Sequence, residues 1–309
     1  MKFSPSMMEK AVFPSVIDST ILLSTACPTK FVYQFCMGLS PIEKSIHLHA
    51  GGAFAHGVEA VRKNFYLNKM PLDLALIDGW RQFINYWGEQ EAPEGSYKDF
   101  YNVSAALFDY FHNYNRNTDY IQPYIKSDGT PAVEFTFAIP LPINHPDTNE
   151  PLIYAGRSDM IGVCKTMGDL GCVVDEKTSY SFPAEWAKLF SMRGQFIGYT
   201  WAAQQFGLPV SMCVVRGVAI QQRSIKHLEA IMQFPQWQID RWYQEMLMKV
   251  EYIVDYWKKK EFPLNYGDIC SSYGGCPQLD LCTSPNPEAW LPSFAIRRWN
   301  PLDKQEAST

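Results

Sequence analysis

The spacing of apolar residues along the chain predicts helices first and strands later. Residues 47–66 carry apolar positions at roughly helical spacing, which places His56 on a helix. Stretches at about 72–88 and 97–115 repeat aromatic residues with the same period. Because aromatic residues at helical spacing usually bury themselves, we interpret these stretches as packed helices of an insertion at 67–130.

Apolar runs bounded by turn-forming residues dominate the rest of the chain. Proline at the start of a run and glycine or proline at its end give the helix limits. The predicted elements are strands at 132–139, 152–163, 171–178 and 209–220, and helices at 183–206 and 235–260.

Composition narrows the class of protein. The 309 residues are 47% hydrophobic, which is ample for a buried core. No stretch approaches the roughly 18 apolar residues of a membrane span, and no secretory signal is apparent, so we expect a cytoplasmic protein without a membrane contact. The eight cysteines are then expected to be reduced thiols, and clustered ones are candidate metal ligands.

The formal net charge is −5, which is unusual for a protein that holds nucleic acid through a broad basic field. If DNA binds, it must bind locally. The last third of the chain offers basic positions, among them Arg241 and Lys258. Many of them lie on predicted helices, where a solvated helix face explains them at least as well as a DNA contact does.

Two strand-like runs in the middle of the chain deliver carboxylates and a lysine. One contains Asp159, and the other reads Asp175-Glu176-Lys177. Since alternate side chains of a strand share a face, Asp175 and Lys177 lie together and Glu176 points away. Two carboxylates that leave open positions for water and phosphate are typical of a Mg2+ site. A plain ion pair is the competing interpretation, but the apolar run before Asp175 indicates a central strand, where unpaired charge is costly.

Gln195 and Tyr199 are four residues apart on the predicted helix that follows this strand. This spacing puts an amide and a phenol on one helix face, where both can flank the carboxylates. An ordinary polar helix face explains the pair equally well.

The order of these residues resembles the RecB-like branch of the PD-(D/E)xK nucleases, including the iron–sulfur CRISPR adaptation exonucleases and phage-type exonucleases. The matching positions are His56, Glu134, Gly156-Arg157-Ser158-Asp159, Asp175-Glu176-Lys177, Gln195 and Tyr199. The resemblance covers roughly residues 20–283. It implies an α/β fold with a restriction-endonuclease-like core, in which helices flank a mixed central sheet.

By this resemblance, the nuclease domain spans 1–283, with the helical insertion at 67–130, a cysteine cluster at 270–282 and a tail at 284–309. Asp159, Asp175 and the carbonyl of Glu176 would bind Mg2+ or Mn2+, with His56 as a further ligand or phosphate contact. Lys177 would orient or deprotonate the attacking water. Glu134 matches a glutamate that opens the first core strand, although a solvated edge residue explains it equally well.

Four cysteines resemble the split iron–sulfur site of some members of this branch. They are Cys27, in a Cys-Pro-x-x-Phe setting, and Cys270, Cys276 and Cys282 near the other end. The resemblance implies a 4Fe-4S cluster that staples the two ends of the chain together. The spacing departs from the family, since Tyr273 occupies the position usual for the first clustered cysteine.

Two alternatives for this centre stay open. Four thiolates also suit structural Zn2+, and Cys36 can replace Cys27 as the distant ligand. The Cys-Pro-x-x-Phe setting favours Cys27.

Together these features predict a divalent-metal-dependent deoxyribonuclease, an exonuclease acting on DNA ends or single strands in recombination, repair, phage replication or CRISPR adaptation. The alternative is a non-catalytic subunit that binds DNA ends or single strands within a larger assembly. The acidic net charge favours a subunit that acts with protein partners in a recombination or phage replication assembly. The trio of Asp159, Asp175 and Lys177 favours the enzyme, because binding alone does not require it.

Overall fold

A computed structural model describes residues 3–43, 45–114, 119–271 and 275–303. Its helices are α1 (Pro5–Met8), α2 (Ser19–Ser24), α3 (Pro28–Phe31), α4 (Ile46–Arg62), α5 (Leu72–Trp87), α6 (Phe100–Asn113), α7 (Gly194–Gln205), α8 (Gln236–Lys259) and α9 (Leu279–Thr283). Its strands are β1 (Val16–Ile17), β2 (Leu39–Pro41), β3 (Ile121–Pro123), β4 (Val133–Asn144), β5 (Pro151–Cys164), β6 (Leu170–Ser179), β7 (Val210–Ile220), β8 (Ile225–Gln233) and β9 (Phe294–Ile296).

The described residues group into two compact units, each made from separate parts of the chain. The first unit contains the described residues of Met1–Glu43, Phe137–Gly156 and Arg241–Lys304, and the second those of Lys44–Thr136 and Arg157–Asp240. The sequence predicts one nuclease domain over 1–283 with a tail at 284–309, and this division stays a prediction. Residues of that tail belong to the first unit, where β9 pairs antiparallel with β2.

The second unit is built on a mixed sheet. Strand β6 runs antiparallel to β5 and parallel to β7, and β8 closes the order as an antiparallel neighbour of β7. The parallel pair requires a crossover, and α7 lies in the chain between β6 and β7. The predicted mixed sheet is thus confirmed.

Helices cover both faces of this sheet. Helices α4, α5 and α6 form one apolar cluster with Val218 and Ile220 of β7. The opposite face of the sheet receives α7, whose Phe196 ring lies 5.8 Å from the Nζ atom of Lys177. Alternation along β6 therefore directs Glu176 toward the α4–α6 layer and Lys177 toward α7.

Most predicted elements are confirmed within a few residues, but three differ. The predicted helix 183–206 is interrupted, since regular helix begins only at Gly194 after a short 3-10 turn, Ala187–Phe190. Strand β8 was not predicted. Within the predicted helical insertion, Ile121–Pro123 is a strand that pairs with β5.

The first unit contains β1, which runs parallel to β5, and most of the long helix α8. Its core includes Phe13, whose ring packs edge-on against Phe31 and Trp257. No described helix combines the length and apolarity that a bilayer-spanning segment needs.

Candidate active site

Asp159 and Asp175 meet across neighbouring strands of the second unit. Met160 pairs with Val174 in the antiparallel β5–β6 ladder. Asp159, one residue before Met160, therefore lies opposite Asp175, one residue after Val174. The Oδ2 atom of Asp159 accepts a hydrogen bond from the main-chain N–H of Glu176 at 2.8 Å. Burial raises the pKa of Asp159 well above its ordinary value, and the carboxylates of Glu176 and Asp175 add to the effect.

Lys177 forms an ion pair with Asp175, with 2.5 Å between Nζ and Oδ2. The Asp175 side chain is 4% exposed and the Lys177 side chain 34%, so the pair has a buried end and an open end. Burial lowers the pKa of Lys177, but Asp175 and Asp159 outweigh it and raise the pKa above its ordinary value. Lys177 is therefore protonated in the metal-free protein, and its two proposed roles, orienting and deprotonating the water, both stay predictions.

Glu176 points to the other face of the sheet, as predicted, and its carboxylate is held there. Arg62 donates to it from both Nη atoms, one at 2.7 Å, and the Tyr110 hydroxyl donates at 2.6 Å. Burial opposes ionisation, yet Arg62 brings the pKa of Glu176 down to about 2. The Glu176 carboxylate also interacts with the side chain of Asp159, and the ligand role of the Glu176 main-chain carbonyl stays a prediction.

Gln195 and Tyr199 share one face of α7 next to these carboxylates. The Gln195 amide donates to the Tyr199 hydroxyl at 3.1 Å, and its Nε2 atom lies 3.5 Å from Oδ1 of Asp175. The structure therefore places Gln195 beside Asp175, and Tyr199 next to Gln195.

Glu134 lies at the start of β4 with a positive φ of 51°, a conformation that costs a non-glycine residue free energy and often marks a functional position. Its carboxylate is 3.4 Å from the Nε atom of Arg157, and the same guanidinium is 3.5 Å from Glu59. Burial, followed by the charge of Glu59, raises the pKa of Glu134 to about 7. Glu134 is thus a buried member of the acidic group and not a solvated edge residue.

His56 lies on α4 with its ring stacked on Tyr86, at 4.5 Å between centroids. Burial lowers the pKa of His56. The charge of Glu59 opposes this effect, and the charge of Arg157 lowers the pKa further. Among the described residues His56 makes no hydrogen bond to Asp159 or Asp175, so the structure places it beside the Glu59–Arg157 pair.

The four predicted cluster cysteines lie in the first unit. Cys27 precedes α3, Cys282 is in α9, and the N–H of Cys276 donates to the carbonyl of Cys270 at 2.8 Å. Burial raises the pKa of Cys282 to about 12, and Cys27, Cys276 and Cys270 add to the effect. Tyr273 lies outside the described residues.

Cys36 differs from this group. It is fully buried, and the charged groups that act on its pKa are Lys260, Arg298 and Asp147. The environment of Cys27 therefore fits the distant ligand better than that of Cys36.

Within the described ranges, no three His, Cys, Asp or Glu side chains are in position to hold a metal ion together. The donor chemistry nevertheless fits a hard cation at Asp159 and Asp175. Both are oxygen donors whose pKa is raised by burial, so a cation would relieve concentrated negative charge. Mg2+ commonly takes only one or two carboxylates and keeps several waters.

Sequence reasoning missed the residues that hold the acidic group in place. Arg62 and Tyr110 fix Glu176, while Glu59 and Arg157 surround Glu134. One available signal was the spacing of His56 and Glu59, which puts both on one face of α4. Nothing in the sequence marked Arg62 as the partner of Glu176.

Comparisons with known proteins give distant structural similarity only. No protein-family model matches the sequence, and no curated protein matches it either. The chain is similar to a crystal structure of a candidate exonuclease from Eubacterium rectale, with a TM-score of 0.48 and 11% identity over 88% of this chain and 92% of that one. It is also similar to the crystal structure of SSO0001, with a TM-score of 0.30 and 13% identity over 79% of this chain and 80% of that one. Neither similarity is strong enough to assign a family.

Proposed function

We propose that this protein is a divalent-metal-dependent DNA nuclease, an exonuclease acting on DNA ends or single strands. The observation that supports it is the buried Asp175 paired at 2.5 Å with Lys177, with Asp159 bonded to the same strand. Buried carboxylates that face one half-exposed lysine suit phosphodiester hydrolysis, because they offer metal ligands and a cation in one place. A structural ion pair would not need the second carboxylate.

Asp159, Asp175 and the carbonyl of Glu176 would hold the ion, for which Mg2+ and Mn2+ are the candidates. When bound, such an ion polarises a phosphate oxygen and acidifies water. Lys177, protonated and partly open to solvent, donates hydrogen bonds that orient the attacking water or a phosphate oxygen. The Gln195 amide orients the Asp175 carboxylate, and the Tyr199 hydroxyl holds that amide by accepting a hydrogen bond from it.

Digestion of end-labelled single- and double-stranded DNA, with Mg2+ or Mn2+, tests this proposal. Replacing Asp175 by Asn keeps its size but removes an anionic ligand, so the cleavage rate should fall by at least about 100-fold. Asp159→Asn should behave alike. Asp169→Asn, in an exposed turn, is the matched control and should cleave normally.

Unchanged cleavage by Asp175→Asn would remove the assignment of this site. DNA binding without cleavage under every metal condition would instead favour a non-catalytic subunit that binds DNA ends or single strands.

We also propose that Cys27, Cys270, Cys276 and Cys282 bind one metal centre in the first unit, a 4Fe-4S cluster or, alternatively, structural Zn2+. The support is that all four cysteines lie in the first unit and that Cys27, Cys276 and Cys270 act on the pKa of Cys282. The donor set is suited to either group.

A further inference from the structure

A cavity of about 860 Å³ lies in the second unit beside β3. Residues of the segment 65–71, which follows α4, form one wall, and residues 122–125, in β3 and directly after it, form another. Val163, near the end of β5, also lines the cavity. The volume is within the range of sites that hold small organic ligands. The proposed cleavage chemistry uses none of these residues.

Three aromatic residues line this cavity, namely Phe65, Tyr66 and Tyr124. Phe65 packs against the apolar cluster of α4, α5 and α6, and Tyr66 packs against an apolar cluster of the sheet. The N–H of Tyr124 donates to the carbonyl of Ile161 at 2.9 Å, and its own carbonyl accepts from the N–H of Ala132 at 2.8 Å. A flat ligand would therefore meet aromatic side chains that are already held in place, which lowers the entropic cost of binding.

Two lysines line the cavity, and they differ in their partners. Lys165 forms an ion pair with Asp169 at 2.9 Å, so its charge is already balanced. Lys69 is exposed and forms no ion pair with any residue that the structure describes. It has a positive φ of 56° and follows a π-helical turn, Lys63–Leu67, and both irregularities are often found at functional positions. Lys69 thus provides an unpaired cation for an anionic ligand.

Two segments that line the cavity also carry members of the candidate active site. Val163 lies four residues after Asp159 and on the same face of β5, about 13 Å along the strand. Pro131 lines the cavity three residues before Glu134, whose charge helps to raise the pKa of Asp159. A DNA strand at the carboxylates therefore needs only a few nucleotides to reach the cavity.

Aromatic rings beside one unpaired lysine suit a nucleotide of a single strand, because the base can stack on a ring while the phosphate contacts the ammonium. The bases of a duplex are already paired and stacked on one another, which keeps them out of such a cavity. The net charge of −5 adds to this argument, since a chain without a broad basic field must hold DNA by local contacts.

We propose that this cavity binds one nucleotide of single-stranded DNA, a few nucleotides away from the bond at the candidate active site. The base stacks on Tyr124, and the phosphate contacts Lys69. The site rests on the proposed nuclease function for its substrate and deepens it, because it makes single strands the preferred substrate.

Fluorescence anisotropy with a labelled oligothymidylate and a blunt duplex of equal length tests this site. All proteins in the binding assay carry Asp175→Asn so that the DNA stays intact. Tyr124→Ala should weaken single-strand binding about tenfold, as expected for one lost stacked base, and leave duplex binding within about twofold. Tyr124→Phe keeps the ring and should retain binding. Tyr101→Ala, at a ring 82% exposed on α6, is the matched control and should bind like the parent.

Lys69→Met should also weaken single-strand binding and reduce the slope of affinity against salt by about one. Lys69→Arg should restore part of both effects. Lys226→Met is the matched control, because Lys226 is an exposed lysine on β8, three strands away from β5 in the sheet. If Tyr124→Ala fails to fold, the surface change Lys69→Met decides the matter.

Single-strand affinities of Tyr124→Ala and Lys69→Met equal to that of the parent would overturn the site, and so would equal losses for single strand and duplex. The protein with Asp175 intact is assayed for cleavage in parallel. Cleavage of DNA with no effect of Tyr124→Ala and Lys69→Met on binding removes the site alone. Single-strand binding that depends on both residues, without cleavage under any metal condition, removes the nuclease function and supports the site.

Discussion

The main-chain N–H of Glu176 donates a hydrogen bond to the side chain of Asp159, across from the strand position of Asp175. This contact ties the β5 carboxylate to the backbone of the strand that carries Asp175 and Lys177. Because the backbone of a paired strand is rigid, the two aspartates keep a fixed separation without direct contact.

Replacing Lys177 by Met should abolish turnover and leave DNA binding within about twofold. The lysine acts on water or a phosphate oxygen in the reaction, and its contribution to binding the whole DNA is small. Single-turnover cleavage and anisotropy measure the two effects separately. Lys165→Met, at an exposed lysine, should change neither, and undiminished single-turnover cleavage by Lys177→Met would move the water-orienting role to another residue.

Replacing Arg62 by Met should lower the free energy of unfolding by about 3–5 kcal/mol, because Glu176 is then left buried without its counter-charge. The double variant Arg62→Met with Glu176→Gln should recover part of this loss. Denaturant unfolding measures both. Lys188→Met, which removes an exposed partner of Glu185, should cost under about 1 kcal/mol, and an equally small effect of Arg62→Met would contradict the argument.

Glu134 should make the stability of the metal-free protein depend on pH. Its pKa is about 7, raised by burial from an ordinary value of 4.5, so the folded state binds the proton more tightly than the unfolded chain does. Its contribution to stability is complete below about pH 4.5 and is lost as the pH rises through about 7.

The variant Glu134→Gln mimics the protonated carboxyl group and should escape this loss. Between pH 5 and 8, the unfolding free energy of the parent should fall by up to about 3 kcal/mol more than that of the variant. Chemical denaturation in EDTA at the two pH values checks the difference. Glu94→Gln, at an exposed position, should follow the parent, and parallel curves for parent and Glu134→Gln would contradict the prediction.

Replacing Cys276 by Ser should lower the melting temperature and remove bound metal, because metal binding to thiolates contributes to folding. Protein purified without oxygen is assayed for iron, acid-labile sulfide and zinc. Iron with sulfide indicates the cluster, and zinc without sulfide the alternative. Cys213→Ala, at a buried thiol of β7, should keep the metal, and a parent protein without any metal would exclude both centres.

Strand alternation and helical spacing were sufficient to predict several geometric relations. They gave the shared face of Asp175 and Lys177, the opposite direction of Glu176, and the contact of Gln195 with Tyr199. These relations depend on residues close in sequence, which a local pattern can encode. Their catalytic roles remain predictions.

Relations between distant segments could not be read in this way. Arg62 is the last residue of α4 and looks like any basic helix end, yet it is 3% exposed and bonded to a residue 114 positions away. Lys226 lies in β8, a strand that the sequence pattern does not predict and that forms by pairing with β7. Tertiary contacts override local preference at such positions.

The same applies to the interrupted helix before α7. Trp186 packs edge-on against Phe182 and Phe190, and a Cβ atom at Gly217 would lie 2.5 Å from its ring. This packing against the sheet holds residues 183–193 in turns. A helical period in the sequence does not reveal that Gly217 of β7 leaves space for the indole of Trp186.

The pairing of β2 with β9 affects the order in which the chain can fold. Arg297 donates to the carbonyl of Pro41, 256 residues earlier, at 3.2 Å. Closing so long a loop carries a large entropic cost, and contacts of high sequence separation slow folding. On the ribosome, β2 must wait until residue 296 has left the exit tunnel before its partner is present, so the first unit is completed after the second unit, whose described segments are all available once residue 240 has emerged.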